Sequence, residues 1–436
     1  MKPIRVALLG AGTVGSGTFN VLLRNQAEIV RRAGRRIEIT AVADLNTARA
    51  EALVGGSAEV TSDAFALVER ADIDVVVELI GGYGIAKQLV LAAIHAGKHV
   101  VTANKALLAL HGNEIFDAAR KKGVMIAFEA AVAGGIPVIK AVREGLSANQ
   151  IEWIAGIING TSNFILSEMR TKGLPFSEVL AQAQQLGYAE ADPTFDIEGI
   201  DAAHKLTILA SLAFGIPLRF EKAYVEGIAN LSQRDICYAG EFGYRVKLLG
   251  ITRRHAAGIE LRVHPTLIAE AQLLANVEGV MNAVLVKGDA VGSTLYYGAG
   301  AGSEPTASAV VADLIDIARL QTADVQHHVP HAAFQPGHVL DTPILPIEAI
   351  ETSYYLRLRV LDQPGVLADV TRILADQAIS IEAMLQKEPA DGETEVDIVL
   401  LTHRTVEGRV NDAIRQIEAL NSVASAVIRI RVEALV

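Results

Sequence analysis

Short apolar runs alternate with longer amphipathic stretches over the first 130 residues. Ile4–Leu9 is a β-rich apolar run closed by Gly10-Ala11-Gly12-Thr13-Val14-Gly15, and helical patterning follows over 14–33. Further strands are predicted at 37–43, 74–80, 99–102 and 124–128, with helices at 85–96 and 113–121. Strands that alternate with helices predict a parallel, doubly wound sheet.

The rhythm changes after Ala130. A helix is predicted at 136–144, a strand at 151–158, then helices at 163–170, 177–186 and 199–214. Strands return at 261–264 and 284–286, and the glycine cluster at 298–302 precedes a helix over 306–320. This middle part reads as an α+β domain. Residues 321–350 are rich in His and Pro, lack periodicity and read as a linker. Beyond them the pattern is strand 354–360, helix 366–377, strands 381–387 and 395–402, helix 406–420 and strand 424–432. That βαββαβ order is a complete ferredoxin-like domain.

Composition narrows the function. The 436 residues are 51% hydrophobic and 20% charged, with a net charge of −11 and pI near 5.5. An acidic chain is a poor general binder of nucleic acid or anionic membrane, so neither is expected as a partner. The mean hydropathy of +0.32 raises the question of a membrane span. The longest nearly uncharged run, 123–139, carries Glu129 and the breaker Gly134-Gly135-Ile136-Pro137, so buried strands and helices are expected instead. The N-terminus imitates an export signal, but its apolar stretch ends at Leu9. One cysteine, Cys237, excludes an intrachain disulfide and a Cys-rich zinc site, and fits a cytoplasmic, reducing compartment.

Gly10, Gly12 and Gly15 follow a strand and open a helix, the context a dinucleotide-binding turn requires. The first glycine permits the turn, the second admits pyrophosphate, and the third lets helix approach strand. Thr13 and Val14 lie in the same turn, where a helix N-terminus offers N–H groups to phosphate. Asp44 ends the second strand, where an acid accepts a ribose hydroxyl and repels a 2′-phosphate. That slightly favours NAD over NADP. The rival is the basic cluster Arg31, Arg32, Arg35 and Arg36, which could hold a 2′-phosphate or simply complement a helix C-terminus. Gly81-Gly82 and Thr102-Ala103-Asn104-Lys105 also end strands on the ligand-binding edge. A lysine at a helix start opposes the dipole, which points Lys105 to cofactor or substrate.

The stretch 186–205 carries five acids before its lysine, Lys205. Asp201 and Lys205 are spaced i,i+4 and share a helix face. Periodicity alone reads them as a solvated salt bridge. A lysine beside a carboxylate can also protonate a carbonyl as hydride arrives from a nicotinamide.

This stretch resembles the signature of homoserine dehydrogenase through Ala183, Gly187, Asp192-Pro193, Asp196, Gly199, Asp201 and Lys205. The likeness covers the whole chain and includes 101–106, 129–137 and 156–161. It is to the monofunctional form, without the aspartokinase domain of some relatives. The fold implied is a Rossmann domain over 1–130, a catalytic and dimerisation domain over 131–320, a linker over 321–350 and an ACT domain over 351–436. The glycine-rich part of 298–320 returns to the cofactor. The activity implied is the reversible NAD(P)-dependent interconversion of L-aspartate 4-semialdehyde and L-homoserine, toward threonine, methionine and isoleucine.

The resemblance implies Lys205 as acid/base with Lys105 assisting, and Glu190 and Asp201 as contacts to the amino acid. It implies Gly10, Gly12, Thr13, Val14, Gly15, Asp44, Thr102, Lys105, Gly187 and Gly302 around the dinucleotide. It also implies a monovalent cation, sodium or potassium, on the Glu129 carboxylate and the carbonyls of Val132, Gly134 and Ile136. The alternative for Glu129 is a carboxylate satisfied by backbone N–H groups. The turn Pro364-Gly365 before a helix resembles an ACT effector site, with threonine as the implied effector; the alternative is a dimerisation module without ligand. A homo-oligomer, dimer or tetramer, is expected. Oxidation of the alcohol needs a neutral lysine, so an alkaline optimum is expected in that direction.

Overall fold

The computed structural model describes residues 2–324, 327–335, 337–389 and 392–435. The linker expected over 321–350 is therefore described only in part, because 325, 326 and 336 lie outside the described residues. The chain forms two compact units. The first comprises the residues up to Gly160, Asp201–Ala223 and Val280–Thr342; the second comprises Thr161–Ile200, Tyr224–Gly279 and the residues from Pro343 on. The middle stretch, 131–320, contributes to both.

The first unit is built on a parallel sheet of six strands: β1 (Ile4–Leu9), β2 (Ile37–Ala43), β3 (Glu59–Thr61), β4 (Val75–Glu78), β5 (His99–Thr102) and β6 (Ile126–Ala127). Their order is β3-β2-β1-β4-β5-β6, so the winding reverses between β1 and β4. A crevice opens beyond the carboxyl ends of the strands at such a reversal. β1 and β4 are nearly continuous apolar runs because helices cover both faces. Those helices are α1 (Thr13–Arg24), α2 (Gln26–Ala33), α3 (Thr47–Val54), α4 (Ala64–Glu69), α5 (Gly84–His95) and α6 (Lys105–Lys122).

Three expectations change here. The helix expected over 14–33 breaks at Asn25 into α1 and α2. β3 was not expected; it is three residues on an exposed edge and carries no apolar run. α6 begins at Lys105 rather than at 113, because Asn104 caps it and it runs straight through Gly112. A Cβ at Gly112 would lie 2.4 Å from Leu218 Cδ1, so the glycine permits close packing and does not end the helix.

Helix Ser303–Leu320 belongs to the same core: its Ala307, Val310 and Leu314 pack with Val6, Leu8 and Phe19. Gly17 of α1 would carry a Cβ only 2.5 Å from the Ser303 carbonyl, and the Ser303 hydroxyl donates to the Thr13 carbonyl (2.8 Å). The glycine-rich turn at 298–302 is thereby brought to the head of α1. Strands Ile151–Ile157, Met281–Gly288 and Gly292–Ala299 form an antiparallel ladder in the same unit.

In the second unit, strands Tyr244–His255 and Gly258–Ala269 form a twelve-residue antiparallel hairpin, longer than the expected 261–264. Its sequence hides it, because Glu260, Arg262 and His264 are charged or polar yet buried. Arg262 is satisfied by Glu260 and Glu433, and His264 accepts its third contact. Strand Ile428–Val432 pairs parallel to the hairpin and continues into Glu351–Leu361, Glu395–Thr402 and Ile381–Gln386. With helices Val366–Asp376 and Glu407–Glu418 this is the expected βαββαβ domain around one core. Among the described residues, no helix is long and apolar enough to cross a membrane.

Candidate active site

The glycine turn is built as its spacing requires. Gly10 has φ +98°, and a Cβ there would meet the Leu79 carbonyl at 2.7 Å. A Cβ on Gly15 would sit 2.0 Å from the Gly10 carbonyl. Above Gly12 there is open space within 4 Å, the cradle a pyrophosphate needs. Thr13 and Val14 begin α1 beside it, and Gly302, at φ +125°, precedes the helix whose Ser303 touches Thr13.

Asp44 closes one end of the crevice. Its carboxylate accepts the Ala11 N–H (2.6 Å), the Asn46 N–H (2.8 Å) and the Arg49 guanidinium (2.8 Å). Burial works to raise this carboxyl, and those three donors outweigh it and hold it below its ordinary range. The rival basic cluster lies elsewhere. Arg31 and Arg32, in the last turn of α2, bind Glu28, while Arg35 donates to Gln321 and Arg36 faces Glu38 just before β2, at the strand end opposite Asp44.

Lys205 and Lys105 converge on one carboxylate although 100 residues separate them. Lys205 Nζ donates to Asp201 Oδ2 (2.6 Å) and to the Ile158 carbonyl (2.7 Å). Lys105 Nζ lies 3.2 Å from Asp201 Oδ1, and Asn159 Nδ2 donates to Oδ2 at 2.9 Å. Asp201 is 3% exposed, so this is a buried cluster and not the solvated helix pair that i,i+4 spacing suggests. Burial pushes the Asp201 carboxyl up, but Lys205 and then Lys105 overcome it and hold the group well below the carboxylate range. His204 lies beside it against the Phe220 ring, 4.3 Å between centroids, and burial drives its imidazole down to about 4.

Sequence reasoning gave no role to Asn159, Ile158, Glu78 or Asn104. Ile158, Asn159 and Asn104 lie in the family-like stretches 156–161 and 101–106, and Glu78 lies within the strand expected at 74–80. Glu78 is fully buried and accepts the N–H groups of Ile80 (2.9 Å) and Gly81 (3.2 Å) and the Thr102 hydroxyl (2.7 Å).

Gly187 and Glu190 belong to the second unit, on the loop after helix Phe176–Gln185. Gly187 takes φ +74°, and the Tyr188 carbonyl accepts the Thr161 hydroxyl (2.6 Å). Ser162 donates to the Asp196 carbonyl at 2.9 Å, and the Asp192 carboxylate accepts the Thr194 N–H and hydroxyl. Glu190 is exposed.

Glu129 is 2% exposed, and its two oxygens accept the N–H groups of Ile139 (2.9 Å) and Lys140 (2.8 Å). Burial, and then the neighbouring Asp313 charge, push its carboxyl up to about 7. The Ile136 carbonyl accepts the Val138 N–H, and Gly134 turns at φ +49° against Gly300. Among the described residues, no three His, Cys, Asp or Glu side chains converge as metal ligands.

Family models match three stretches: homoserine dehydrogenase, NAD binding domain over 10–129; homoserine dehydrogenase over 137–315; and ACT domain over 354–420. A homoserine dehydrogenase of Pseudomonas aeruginosa is 63% identical over 436 residues, all of both chains. A crystal structure of a homoserine dehydrogenase from Thiobacillus denitrificans superposes with a TM-score of 0.95 at 67% identity, covering 99% of each chain. A hyperthermophilic archaeal homoserine dehydrogenase in complex with NADPH matches with a TM-score of 0.63 at 27% identity, over 74% of this chain and 100% of that one.

Proposed function

We propose, proceeding from the fact that the chain belongs to the homoserine dehydrogenase family, how its own residues carry out the reversible NAD(P)-dependent interconversion of L-aspartate 4-semialdehyde and L-homoserine. The dinucleotide, when bound, supplies the hydride and takes it back. The proton is the work of Lys205. Negative charge develops on the aldehyde oxygen as its carbon is reduced, and the Lys205 ammonium neutralises it by donation. Ile158 and Asp201 fix the direction of that ammonium. Lys105 adds a second positive charge from the other side of Asp201, which stabilises the developing oxyanion. In the oxidative direction a neutral Lys205 accepts the alcohol proton, so that rate rises toward alkaline pH. Glu190 and Asp201 are the acids assigned to the substrate ammonium.

The observation that carries this reading is the single buried carboxylate shared by both lysines. Lys205→Ala should lower kcat by about 10³-fold while dinucleotide Kd, measured by fluorescence titration, stays within about twofold. Wild-type kcat in that variant removes the lysine from the mechanism.

Gly10, Gly12, Thr13, Val14, Gly15, Thr102, Lys105, Gly187 and Gly302 are assigned to the dinucleotide. The room above Gly12 and the lack of room at Gly10 and Gly15 fit that assignment. Asp44 favours NAD slightly, and Arg49 beside it supplies a cation that keeps NADP acceptable. Steady-state assays with NADH and NADPH test the balance; Arg49→Ala should raise KM for NADPH about tenfold and leave KM for NADH nearly unchanged.

Glu129 with the carbonyls of Val132, Gly134 and Ile136 is assigned to a sodium or potassium ion. The support is the burial of Glu129 beside a second acid, Asp313; its two backbone N–H bonds are those of the alternative, a carboxylate satisfied without an ion. The ACT domain is assigned to feedback by threonine, whose carboxylate would meet the N-terminus of helix Val366–Asp376 behind Gly365. Among the described residues, strand Ile381–Gln386 is paired on one side only, with Glu395–Thr402, which supports pairing with a second copy in a dimer or tetramer. The domain scheme 1–130, 131–320 and 351–436 is read in the same functional sense.

A further inference from the structure

We infer that Glu78 is a positioning residue: it clamps the two turns that leave β4 and β5 and so fixes the point from which Lys105 reaches Asp201. The inference rests on the role given to Lys105 above. β4 reads Val-Val-Val-Glu, and all four side chains are buried. A fourth apolar residue would serve the core at no electrostatic cost, whereas a buried carboxylate is expensive unless every oxygen is bonded. Glu78 makes no ion pair among the described residues, and its contacts are all to donors. One oxygen gathers the N–H groups of Ile80 and Gly81; the other takes the proton of the Thr102 hydroxyl.

Those contacts close a ring. Glu78 and Thr102 are register partners on β4 and β5. Thr102 Oγ1 accepts the Asn104 N–H at 3.0 Å, so its own proton is directed to Glu78. Asn104 Nδ2 donates to the Gly82 carbonyl (2.5 Å), returning to the first turn, while Asn104 Oδ1 caps α6 through the Leu107 N–H (3.0 Å). Gly81 and Gly82 both take left-handed φ, +83° and +66°, one of several conformations open to glycine, so the bonds to Glu78 and Asn104 select it. Lys105 is the next residue after Asn104. The ring therefore sets both the floor of the crevice opposite Asp44 and the root of the lysine.

An amide cannot replace this carboxylate. In Glu78→Gln the side chain would present an NH₂ group either to two backbone N–H groups or to the hydroxyl that must donate.

The test uses the full-length chain, with NADH or NADPH as the titrant. Glu78→Gln should weaken dinucleotide binding about tenfold by fluorescence titration and lower kcat about tenfold, with little change in KM for aspartate semialdehyde. Thr102→Val should match it, and the double variant should be no worse than about twofold beyond the worse single, because one ring is broken either way. Thr102→Ser keeps the hydroxyl and should lose less than Thr102→Val. Unchanged Kd and kcat in Glu78→Gln, or single losses that multiply in the double variant, overturn the inference. If Glu78→Gln does not fold, equal losses in Thr102→Ser and Thr102→Val do so instead. Lys105→Ala, assayed alongside, separates the two readings: normal kcat there ends the role of Lys105, while the dinucleotide Kd of Glu78→Gln still judges the clamp.

Discussion

Asp201 and Glu129 are both carboxylates, both nearly sealed from water, and both in the same compact unit. Their environments drive them in opposite directions. Asp201 has two ammonium groups within 3.2 Å, and it stays charged despite burial. Glu129 has backbone N–H groups, while the Lys140 ammonium is committed to Asp316 and Asp313. Asp313 also accepts the Glu129 N–H and adds its own repulsion. Burial works against the charged form of both, and the placement of lysines decides the outcome.

The sharpest way to break this contrast is to neutralise Asp201. Asp201→Asn leaves the buried Lys205 ammonium and the half-exposed Lys105 ammonium without their shared counter-charge, and kcat/KM should fall by about 10²–10³-fold in steady-state assays. An effect below about threefold would mean that the lysines do not depend on it.

Titration sharpens the contrast next. Glu129 is raised from an ordinary 4.5 to about 7, and Asp313 from 3.8 to about 6, each chiefly by burial. The native state therefore holds these protons more tightly than the unfolded chain. Their contribution to stability is complete below about pH 4 and is lost as pH rises through 7. The full shift at Glu129 is worth about 3 kcal/mol. Asp201 has the opposite sign, since its folded value is depressed and its contribution is lost only as pH falls below the ordinary carboxylate range. Urea unfolding across pH 4–8 in a buffer free of sodium and potassium should show stability falling toward pH 8, with a smaller slope in Glu129→Gln.

A smaller effect follows from the cation assignment. Sodium or potassium should raise Tm at pH 8 by a few degrees at about ten times its dissociation constant, and by less at pH 5, where Glu129 is protonated. Glu129→Gln should abolish the difference. The least effect is expected from Arg24→Ala. Its partner Glu304 and the arginine itself are both more than half exposed, and solvent screens the pair, so Tm should not move measurably.

Much of this molecule was legible one residue at a time. β2 and β5, the strand Glu395–Thr402 and the βαββαβ order follow from local apolar runs and the breakers between them. The glycine turn was equally legible, because each glycine answers a constraint within a few residues of itself. Gly112 is the reverse case: the constraint that places a glycine inside α6 comes from Leu218, more than 100 residues away.

The sequence by itself therefore determined most elements of the parallel sheet and of the C-terminal domain, the dinucleotide turn and the residue types available for chemistry, since these depend on short-range sterics and on periodic burial. Only the tertiary structure decided which charges meet. Arg262 with Glu433, and Lys105 with Asp201, lie far apart in sequence and meet only because the fold brings them together. Electrostatic energy depends on distance and dielectric, and neither is written in the order of residues along the chain.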